Sequence, residues 1–410
     1  MKAYTATVNL FKGFERKSRR EGWVQGMFQR AFRLLAAVFF GCLGVCAPVY
    51  AAITPSISVS APLAPNISAK SAVLIEAETR RVLYAKNAEE RLPMASTTKI
   101  MSALLALEHP AQEREFEVDT AAIHVEGSSM GLREGDTVTM RALACGMLLS
   151  SGNDAANAAA VAMYGSISGF VLHMNERARQ LGLADTHFAN PSGLDAEGHY
   201  STAKDMARLA AFALENEEFA AICSQPEMRV SYGNPPYQRW LDNHNRLLND
   251  YEGCIGVKTG FTDKARRCLV SAAERDGVRL ICVTLNDPDD WRDHTALFDY
   301  GFENYKQVTL DTDLGGAVVP ITGGDKTTLR VRTDATAFAV VDEAELKALT
   351  RRVTAAPLLF APVTKGAQVG KVEYLTDGTV IKTLPLIADE EISYRQAPAL
   401  LRWARGLFGG

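Results

Sequence analysis

The sequence predicts an α+β protein in which strands flank a run of helices, followed by a small all-β domain. The first observation is that a pair of short strands opens the core region and three more strands follow residue 250, with helical periodicity between them. The second is that the composition beyond residue 306 becomes rich in Val, Thr and Leu with turn residues. A length of 410 residues suits two domains plus targeting segments.

The first 51 residues have the parts of a signal peptide. Arg30 and Arg33 precede an apolar run over residues 34–45, and small residues lead to a cleavage site after Ala51. The basic segment before this run is unusually long, so we expect the true start at Met27. An uncleaved anchor helix is the alternative, although the run is shorter than the roughly 20 residues that span a bilayer.

Charge and cysteine content limit the partners. Removing residues 1–51 takes eight basic and two acidic residues from a chain of net charge −4, which leaves −10. Such a chain is a poor partner for nucleic acid, which is bound through Lys and Arg.

Five cysteines remain after residue 51, so at least one is unpaired within the monomer. Cys254 and Cys268 could meet across a hairpin, or all five could be buried thiols. The Cys and His spacings match no metal motif, so neither a metal nor a cofactor is expected.

Each element follows from local pattern. Residues 52–69 are rich in Ser, Ala and Pro and are predicted to be a linker without a core. A first domain is predicted over residues 70–305, opening with strands at 72–75 and 81–84. A helix from about Ser96 to Glu108 is apolar on nearly all sides, which indicates a buried helix. The remaining elements of this domain are helices at 138–149, 154–162, 169–181, 201–215 and 295–305, a loop at 183–200, and strands at 253–259, 268–273 and 278–285.

Two segments complete the chain. The β-domain is predicted over residues 306–395, where strands at 371–375 and 379–384 bracket an Asp-Gly turn. In the tail over 396–410, apolar residues including Trp403 share one helical face, with Arg402 and Arg405 away from it. A basic amphipathic helix of this kind is typical of a membrane-surface anchor, and docking on the β-domain is the alternative.

Three motifs carry the chemistry. In Ser96-Thr97-Thr98-Lys99 the serine and lysine lie one helical turn apart, so the amine can deprotonate the hydroxyl. Burial and a neighbouring cation can lower the lysine pKa enough for that role, and the helix N-terminus adds positive potential. Alone, the pair is more typical of a helix-capping serine followed by a solvated lysine. Ser151-Gly152-Asn153 and Lys258-Thr259-Gly260 follow in the order that marks class A β-lactamases and penicillin-binding proteins.

With these motifs, the chain resembles a low-molecular-mass penicillin-binding protein of the D-alanyl-D-alanine carboxypeptidase family over about residues 68–395. Residues 190–195, 199–207 and 256–262 also match the family's pattern. The resemblance implies a β-lactamase/transpeptidase-like catalytic domain, in which helices pack on an antiparallel sheet, followed by the β-domain. It also implies an exported enzyme, at the outer face of the cytoplasmic membrane or in the cell wall. Its substrates would be peptidoglycan stem pentapeptides ending in D-Ala-D-Ala, and β-lactams would inhibit it covalently.

The resemblance implies a role for each motif residue in the bond-breaking step. Ser96 would be the nucleophile that forms an acyl-enzyme, and Lys99 its general base. Ser151 would pass a proton to the leaving amine. The backbone N–H groups of Ser96 and Phe261 would form the oxyanion hole, and Gly260 would let the strand backbone approach the substrate.

Other residues would bind the substrate. Asn153 would hold the acyl-side amide, and Lys258 and Thr259 would contact the terminal carboxylate. An arginine is the natural further donor for a carboxylate, and Arg292 is the candidate. A surface ion pair with a neighbouring aspartate is the alternative for this residue.

Three alternative functions place different demands on these motifs. A β-lactamase would be expected to carry Asp where Gly152 stands, and a deacylating glutamate in a Glu-x-x-Leu-Asn setting that neither Glu176 nor Glu197 has. A D,D-endopeptidase is not separated by sequence. A non-catalytic scaffold should have lost Ser96, Lys99 or Lys258. The third stem-peptide residue, the life-cycle role and the oligomeric state stay open.

Overall fold

The computed structural model describes residues 64–333 and 336–395. The predicted signal peptide, most of the predicted linker and the C-terminal tail lie outside the described residues. Ile67 and Ala69, at the end of the predicted linker, are buried in the core, and Ser68 Oγ donates to Asp293 at 2.8 Å. The packed core therefore starts before residue 70.

The first domain is built on a five-stranded antiparallel sheet. Its strands are β1 (Ser71–Glu76), β2 (Val82–Lys86), β7 (Cys254–Thr262), β8 (Arg266–Arg275) and β9 (Val278–Leu285). They lie in the order β2-β1-β9-β8-β7. The N-terminal hairpin of β1 and β2 pairs with β9 through β1, which leaves β7 as an end strand.

Helices cover this sheet and confirm the α+β prediction. The helix that follows the nucleophile turn, α1 (Lys99–Leu107), has all of its residues buried, as its apolar composition predicted. The other helices are α2 (Thr120–Ile123), α3 (Met140–Leu148), α4 (Asn153–Tyr164), α5 (Ile167–Gln180), α6 (Ala203–Leu214), α7 (Glu217–Cys223), α8 (Leu247–Asp250) and α9 (Asp290–Asn304). A separate apolar cluster joins α9 to the sheet through Leu297 and Phe298.

Several elements differ from the sequence prediction. Two short pairs of strands were not predicted: β3 (Phe116–Glu117) with β4 (Thr137–Val138), and β5 (Glu227–Tyr232) with β6 (Tyr237–Asp242). Helix α9 begins five residues earlier than the predicted 295, because the polar run before it forms its first turn. Cys254 is opposite Ala273 and Cys268 is opposite Gly260, so these two cysteines do not face each other, and the five cysteines of the described chain are free thiols.

The second domain is β-rich and has its own core. Its six-stranded sheet has the order β14-β16-β17-β12-β11-β15, and the predicted Asp-Gly hairpin joins β16 to β17. One short helix, α10 (Glu343–Lys347), interrupts the strands. The strands are β10 (Lys306–Thr309), β11 (Val318–Thr322), β12 (Thr328–Arg332), β13 (Phe338–Val341), β14 (Thr350–Ala355), β15 (Leu359–Phe360), β16 (Gln368–Thr376) and β17 (Thr379–Ala388).

Charged side chains connect the two domains. Arg81 donates to the Val340 carbonyl oxygen at 2.6 Å and forms an ion pair with Glu345. Lys382 of the β-domain forms an ion pair with Glu78.

Across residues 64–333 and 336–395, no single helix is both long and apolar enough to cross a bilayer. Helices α4 and α5 together are long and apolar enough, but the pair is bent by 89°.

Candidate active site

The predicted nucleophile lies in a 3₁₀ turn (Ala95–Thr98) that leads into α1. Thr97 Oγ1 donates to the Met94 carbonyl oxygen at 2.6 Å, and Thr98 Oγ1 donates to the Ala95 carbonyl oxygen at 2.8 Å. The sequence predicted an α-helix from Ser96. A 3₁₀ turn brings residues i and i+3 into line, so the reach from Ser96 to Lys99 is preserved.

Lys99 is fully buried and has three polar neighbours. Its Nζ lies 3.0 Å from Ser96 Oγ, 2.7 Å from Asn153 Oδ1 and 2.5 Å from the Ser192 carbonyl oxygen. The last two atoms can only accept a hydrogen bond, whereas the serine hydroxyl can donate. A neutral amine has two N–H donors and one lone pair. It therefore satisfies all three neighbours when the lone pair faces the Ser96 hydroxyl, which is the arrangement of a base.

Electrostatics favour that neutral state. Burial, followed by the positive charge of Lys258, holds the pKa of Lys99 well below its usual value, against an opposing effect of Asp154. Burial also lowers the pKa of Lys258 to about 7. The positive charge of Lys258 therefore helps Lys99 to lose its proton.

The second motif is held by a loop over residues 126–132. Ser151 is 4% exposed and has a left-handed backbone, with φ of 57°. Asn153 Nδ2 donates to the Glu126 carbonyl oxygen at 2.7 Å, which aims Oδ1 at Lys99. The Asp154 carboxylate accepts the backbone N–H groups of Met130, Gly131 and Leu132 at 2.9, 3.1 and 3.1 Å. This clamp fixes the start of α4 and with it the Asn153 amide.

The third motif lies on β7, close to the nucleophile turn. A Cβ atom on Gly260 would lie 3.0 Å from the Ser96 backbone nitrogen and 3.1 Å from the Met94 carbonyl oxygen, so glycine permits the close approach. Lys258 is 1% exposed, and its Nζ donates to the Thr259 carbonyl oxygen at 3.0 Å. The Phe261 side chain is 58% exposed.

Arg292 is on α9 and has two acidic partners. Its Nη1 is 2.9 Å from Asp289, its Nη2 is 3.3 Å from Asp293, and its side chain is 64% exposed. These are the ion pairs that the sequence offered as the alternative to a role in carboxylate binding.

Sequence reasoning left out two histidines near the site. The His199 ring accepts the Ala189 backbone N–H at Nδ1 (2.9 Å), so its Nε2 carries the proton and donates to Thr98 Oγ1 at 2.8 Å. This histidine thus braces the nucleophile turn through Thr98; burial lowers its pKa to about 4, which keeps it neutral. Burial and then the charge of Lys258 lower the pKa of His244, which follows the unpredicted β5–β6 hairpin.

The site thus gathers a hydroxyl, a buried amine whose pKa is lowered, an amide that orients this amine, and a second lysine. This set can activate a serine for attack on an acyl group. Among residues 64–333 and 336–395, no group of three or more His, Cys, Asp and Glu residues could hold a metal ion.

Comparison with known proteins identifies relatives of both domains. A sequence model described as D-alanyl-D-alanine carboxypeptidase (peptidase S11) matches residues 57–289, and one described as the C-terminal domain of penicillin-binding protein 5 matches residues 302–394. D-alanyl-D-alanine carboxypeptidase DacF of Bacillus subtilis is 35% identical over 334 residues, covering 79% of this chain and 86% of the relative.

Two further proteins extend the comparison. D-alanyl-D-alanine carboxypeptidase DacC of Escherichia coli is 32% identical over 348 residues, covering 80% of this chain and 85% of the relative. The crystal structure of penicillin-binding protein 5 from Haemophilus influenzae superposes with a TM-score of 0.67 at 27% identity, over 81% of this chain and 100% of that one.

Proposed function

The chain belongs to the D-alanyl-D-alanine carboxypeptidase family, and on that premise we propose how its residues perform the reaction. It is a serine-type D-alanyl-D-alanine carboxypeptidase of the penicillin-binding group, and its substrates are peptidoglycan peptides. The observation that carries the residue assignments is the contact of 3.0 Å between Ser96 Oγ and Lys99 Nζ, in a site where burial and then the charge of Lys258 hold the pKa of that amine well below its usual value.

Acylation begins at Ser96. Its Oγ attacks the carbonyl carbon of the penultimate D-alanine while Lys99 accepts the hydroxyl proton. The oxyanion is stabilised by the backbone N–H groups of Ser96 and Phe261, and removing one such donor typically costs about 3 kcal/mol of transition-state stabilisation. The close packing of Gly260 against the nucleophile turn supports this pairing of a turn with a strand.

Collapse of the tetrahedral intermediate releases the terminal D-alanine. Ser151 passes its hydroxyl proton to the leaving amine and takes back the proton that Lys99 carries, so Lys99 is neutral again; Lys258 lies beside them as the second cation. The acyl group remains as an ester on Ser96. A water molecule, deprotonated by Lys99, then attacks the ester, and Lys99 returns that proton to Ser96 Oγ as the ester bond breaks, which regenerates the enzyme.

The substrate lies along β7. Asn153 holds the amide on the acyl side, Lys258 and Thr259 contact the terminal carboxylate, and Gly260 keeps the strand backbone close to the peptide. The position of β7 at the end of the sheet supports this arrangement, because an end strand has backbone groups available to an extended peptide.

The chain is proposed to act outside the cytoplasm, where peptidoglycan lies. Residues 1–51 would direct export, and the basic amphipathic pattern over residues 396–410 would hold the enzyme at the membrane surface. Truncation after residue 395 should release the protein from membrane fractions; full retention of the truncated protein would count against the tail's role.

Substrate turnover tests the assignment. The purified chain from residue 52 onward is incubated with a peptide ending in D-Ala-D-Ala, and released D-alanine is measured, with Ser96→Ala as the control. We expect release by the wild type alone and, with penicillin, a covalent adduct on Ser96 that lasts many minutes. Release by the Ser96→Ala variant at the wild-type rate would refute the assignment. An adduct that hydrolyses within seconds would instead favour a β-lactamase, and preferential cleavage of cross-linked dimers a D,D-endopeptidase.

A further inference from the structure

The segment before the first strand, residues 64–69, has no regular secondary structure and is held to the catalytic domain by a few contacts. We call it the N-terminal strap. Ile67 and Ala69 are buried in the core, and Lys86 Nζ donates to the Ile67 carbonyl oxygen at 2.8 Å. Between the two buried residues, the Ser68 hydroxyl contacts two carboxyl groups, and their protonation determines how firmly the strap is held.

These two groups, Asp287 and Asp293, form the carboxyl pair. Ser68 Oγ lies 3.0 Å from Asp287 Oδ1 and 2.8 Å from Asp293 Oδ2, and the two aspartates are 0% and 1% exposed. A serine hydroxyl carries one hydrogen, so it can donate to only one of two carboxylates at a time. The other contact is a hydrogen bond only when that carboxyl group carries a proton and donates it to Ser68 Oγ.

Asp293 is the charged member of the pair. Its Oδ2 accepts the backbone N–H groups of Ser68 and Ala69, the second at 3.1 Å, in addition to the Ser68 hydroxyl. Its Oδ1 lies 3.3 Å from Arg292 Nη2. Burial opposes ionisation here, but the hydrogen bonds from Ser68 and Ala69 outweigh it and hold the pKa of Asp293 below its usual value.

Asp287 is the member that can hold a proton. Its Oδ1 accepts the Asp289 backbone N–H at 3.0 Å, and its Oδ2 is buried with no hydrogen-bond partner among the described residues. A buried oxygen without a partner costs less on a neutral carboxyl group than on an ion. Burial and the charge of Asp293 raise the pKa of Asp287 to about 6, against hydrogen bonds from Asp289, Thr284 and Ser68.

The cations near the pair already have acidic partners. Arg267 on β8, whose carbonyl oxygen accepts the Asp287 N–H at 2.9 Å, is paired with Asp290 at 2.7 Å. Arg292 is shared between Asp289, at 2.9 Å, and the carboxyl pair. Within residues 64–333 and 336–395, no cation forms an ion pair with Asp287. A negative charge there would therefore lie beside a second carboxylate without a counter-ion.

The other titratable neighbours stay uncharged near neutral pH. Burial raises the pKa of Cys268 to about 12, raises that of Cys282 well above its usual value, and lowers that of His294 to about 3. Tyr84, whose pKa burial also raises, faces the pair from β2. Of the groups in this cluster with a shifted pKa, Asp287 is therefore the one whose charge changes between pH 5 and pH 8.

We propose that the carboxyl pair is a pH-sensitive latch, in which a proton on Asp287 holds the strap through Ser68 and loss of that proton loosens the strap. In the closed state Asp287 donates to Ser68 Oγ, and Ser68 Oγ donates to Asp293. Deprotonation leaves two carboxylates competing for one hydrogen and adds repulsion between like charges. The strap should therefore be held firmly at acid pH and less firmly at alkaline pH.

The direction follows from proton linkage. When the strap opens, Asp287 regains contact with water and its pKa returns from about 6 toward 3.8. The closed state thus binds the proton more tightly than the open state, so the stability of closure is largest at acid pH and is lost as pH rises through about 6.

Hydrogen exchange of the strap tests the latch. The backbone N–H groups of Ser68 and Ala69 bond to Asp293 only when the strap is closed. Their exchange is followed in the purified protein by mass spectrometry of peptides that cover the strap, with correction for the pH dependence of the intrinsic rates. Protection should fall roughly tenfold between pH 5 and pH 8, as linkage requires for a pKa of about 6 in the closed state. Protection that stays constant or rises over this range refutes the proposal.

Two variants identify the group that titrates. Asp287→Asn has no charge to gain, so its strap protection should be constant between pH 5 and pH 8, whatever its absolute level. Asp289→Asn removes a carboxylate two residues along the chain that is 47% exposed, and it should keep the wild-type pH course. A tenfold fall in Asp287→Asn would assign the titration to another group and overturn the inference. If Asp287→Asn does not fold, the wild-type pH course decides, and loss of that course in Asp289→Asn would refute the role of Asp287.

Discussion

A Cβ atom on Gly193 would lie 2.0 Å from the carbonyl oxygen of Ala95, the residue before the nucleophile. The loop that contains Gly193 is pressed against the nucleophile turn, and its Ser192 carbonyl oxygen accepts a hydrogen bond from Lys99. Asn190 fixes the loop by accepting the Gly193 N–H at 2.7 Å and donating to the Leu194 carbonyl oxygen at 2.8 Å. The loop thus positions both the nucleophile turn and the base.

Gly193→Ala should therefore damage the site. The backbone φ is +90°, which disfavours any side chain, and the added methyl group meets backbone atoms that cannot rotate away. We expect D-alanine release to fall at least roughly tenfold and the free energy of unfolding to drop by about 2–4 kcal/mol. Gly182→Ala is the matched control, because Gly182 has φ of +71° with nothing within 4 Å, and it should leave activity unchanged. Equal effects of the two substitutions would show that backbone strain alone explains the loss.

Lys258→Gln should shift the pH dependence of acylation. The positive charge of Lys258 is one cause of the lowered pKa of Lys99, so its removal raises that pKa. Since the base must be neutral, the ascending limb of the rate should move to higher pH. The measurement is the second-order rate of Ser96 acylation by penicillin across pH. Lys204→Gln removes a surface lysine paired with Glu89 at 2.6 Å and serves as the control. An ascending limb that stays in place or moves downward contradicts this electrostatic coupling.

His199→Leu should slow acylation by roughly tenfold, because Thr98 loses the donor that orients it and the nucleophile turn loses a brace. His199→Gln retains a donor and should restore part of the rate.

Because burial lowers the pKa of His199 from 6.5 to about 4, the unfolded chain binds the proton first as pH falls. The neutral ring thus contributes stability above pH 6.5 that is lost as pH falls toward 4.

The stability of the wild type and of His199→Gln, measured by denaturant unfolding at several pH values, checks that sign. The variant should lose less stability between pH 6.5 and pH 4 than the wild type does. Identical slopes for the two proteins would mean that His199 does not titrate as its burial requires.

The sequence predicted what depends on local pattern. The strand at 278–285 has the predicted bounds, and the buried α1 follows from its continuous apolar run. The Ser96–Lys99 contact was predictable because i,i+3 spacing places both side chains on the same face of a helical turn. These features need no knowledge of which distant segments meet.

The remaining features depend on distant contacts. No local signal places Gly193 against Ala95, which is about a hundred residues away, or His199 against Thr98. The β5–β6 hairpin was missed although β5 alternates polar and apolar residues, a pattern that predicts a strand; its partner β6 shows no such alternation.

The contact between Arg81 and the β-domain has one more consequence. Arg81 and Lys382 connect the domains through ion pairs with Glu345 and Glu78, and attraction between such partly exposed charges weakens as salt rises. The strength of the attachment between the catalytic domain and the β-domain then depends on ionic strength. At low ionic strength the two domains would keep one relative orientation, whereas at high ionic strength the catalytic domain would be freer to reorient.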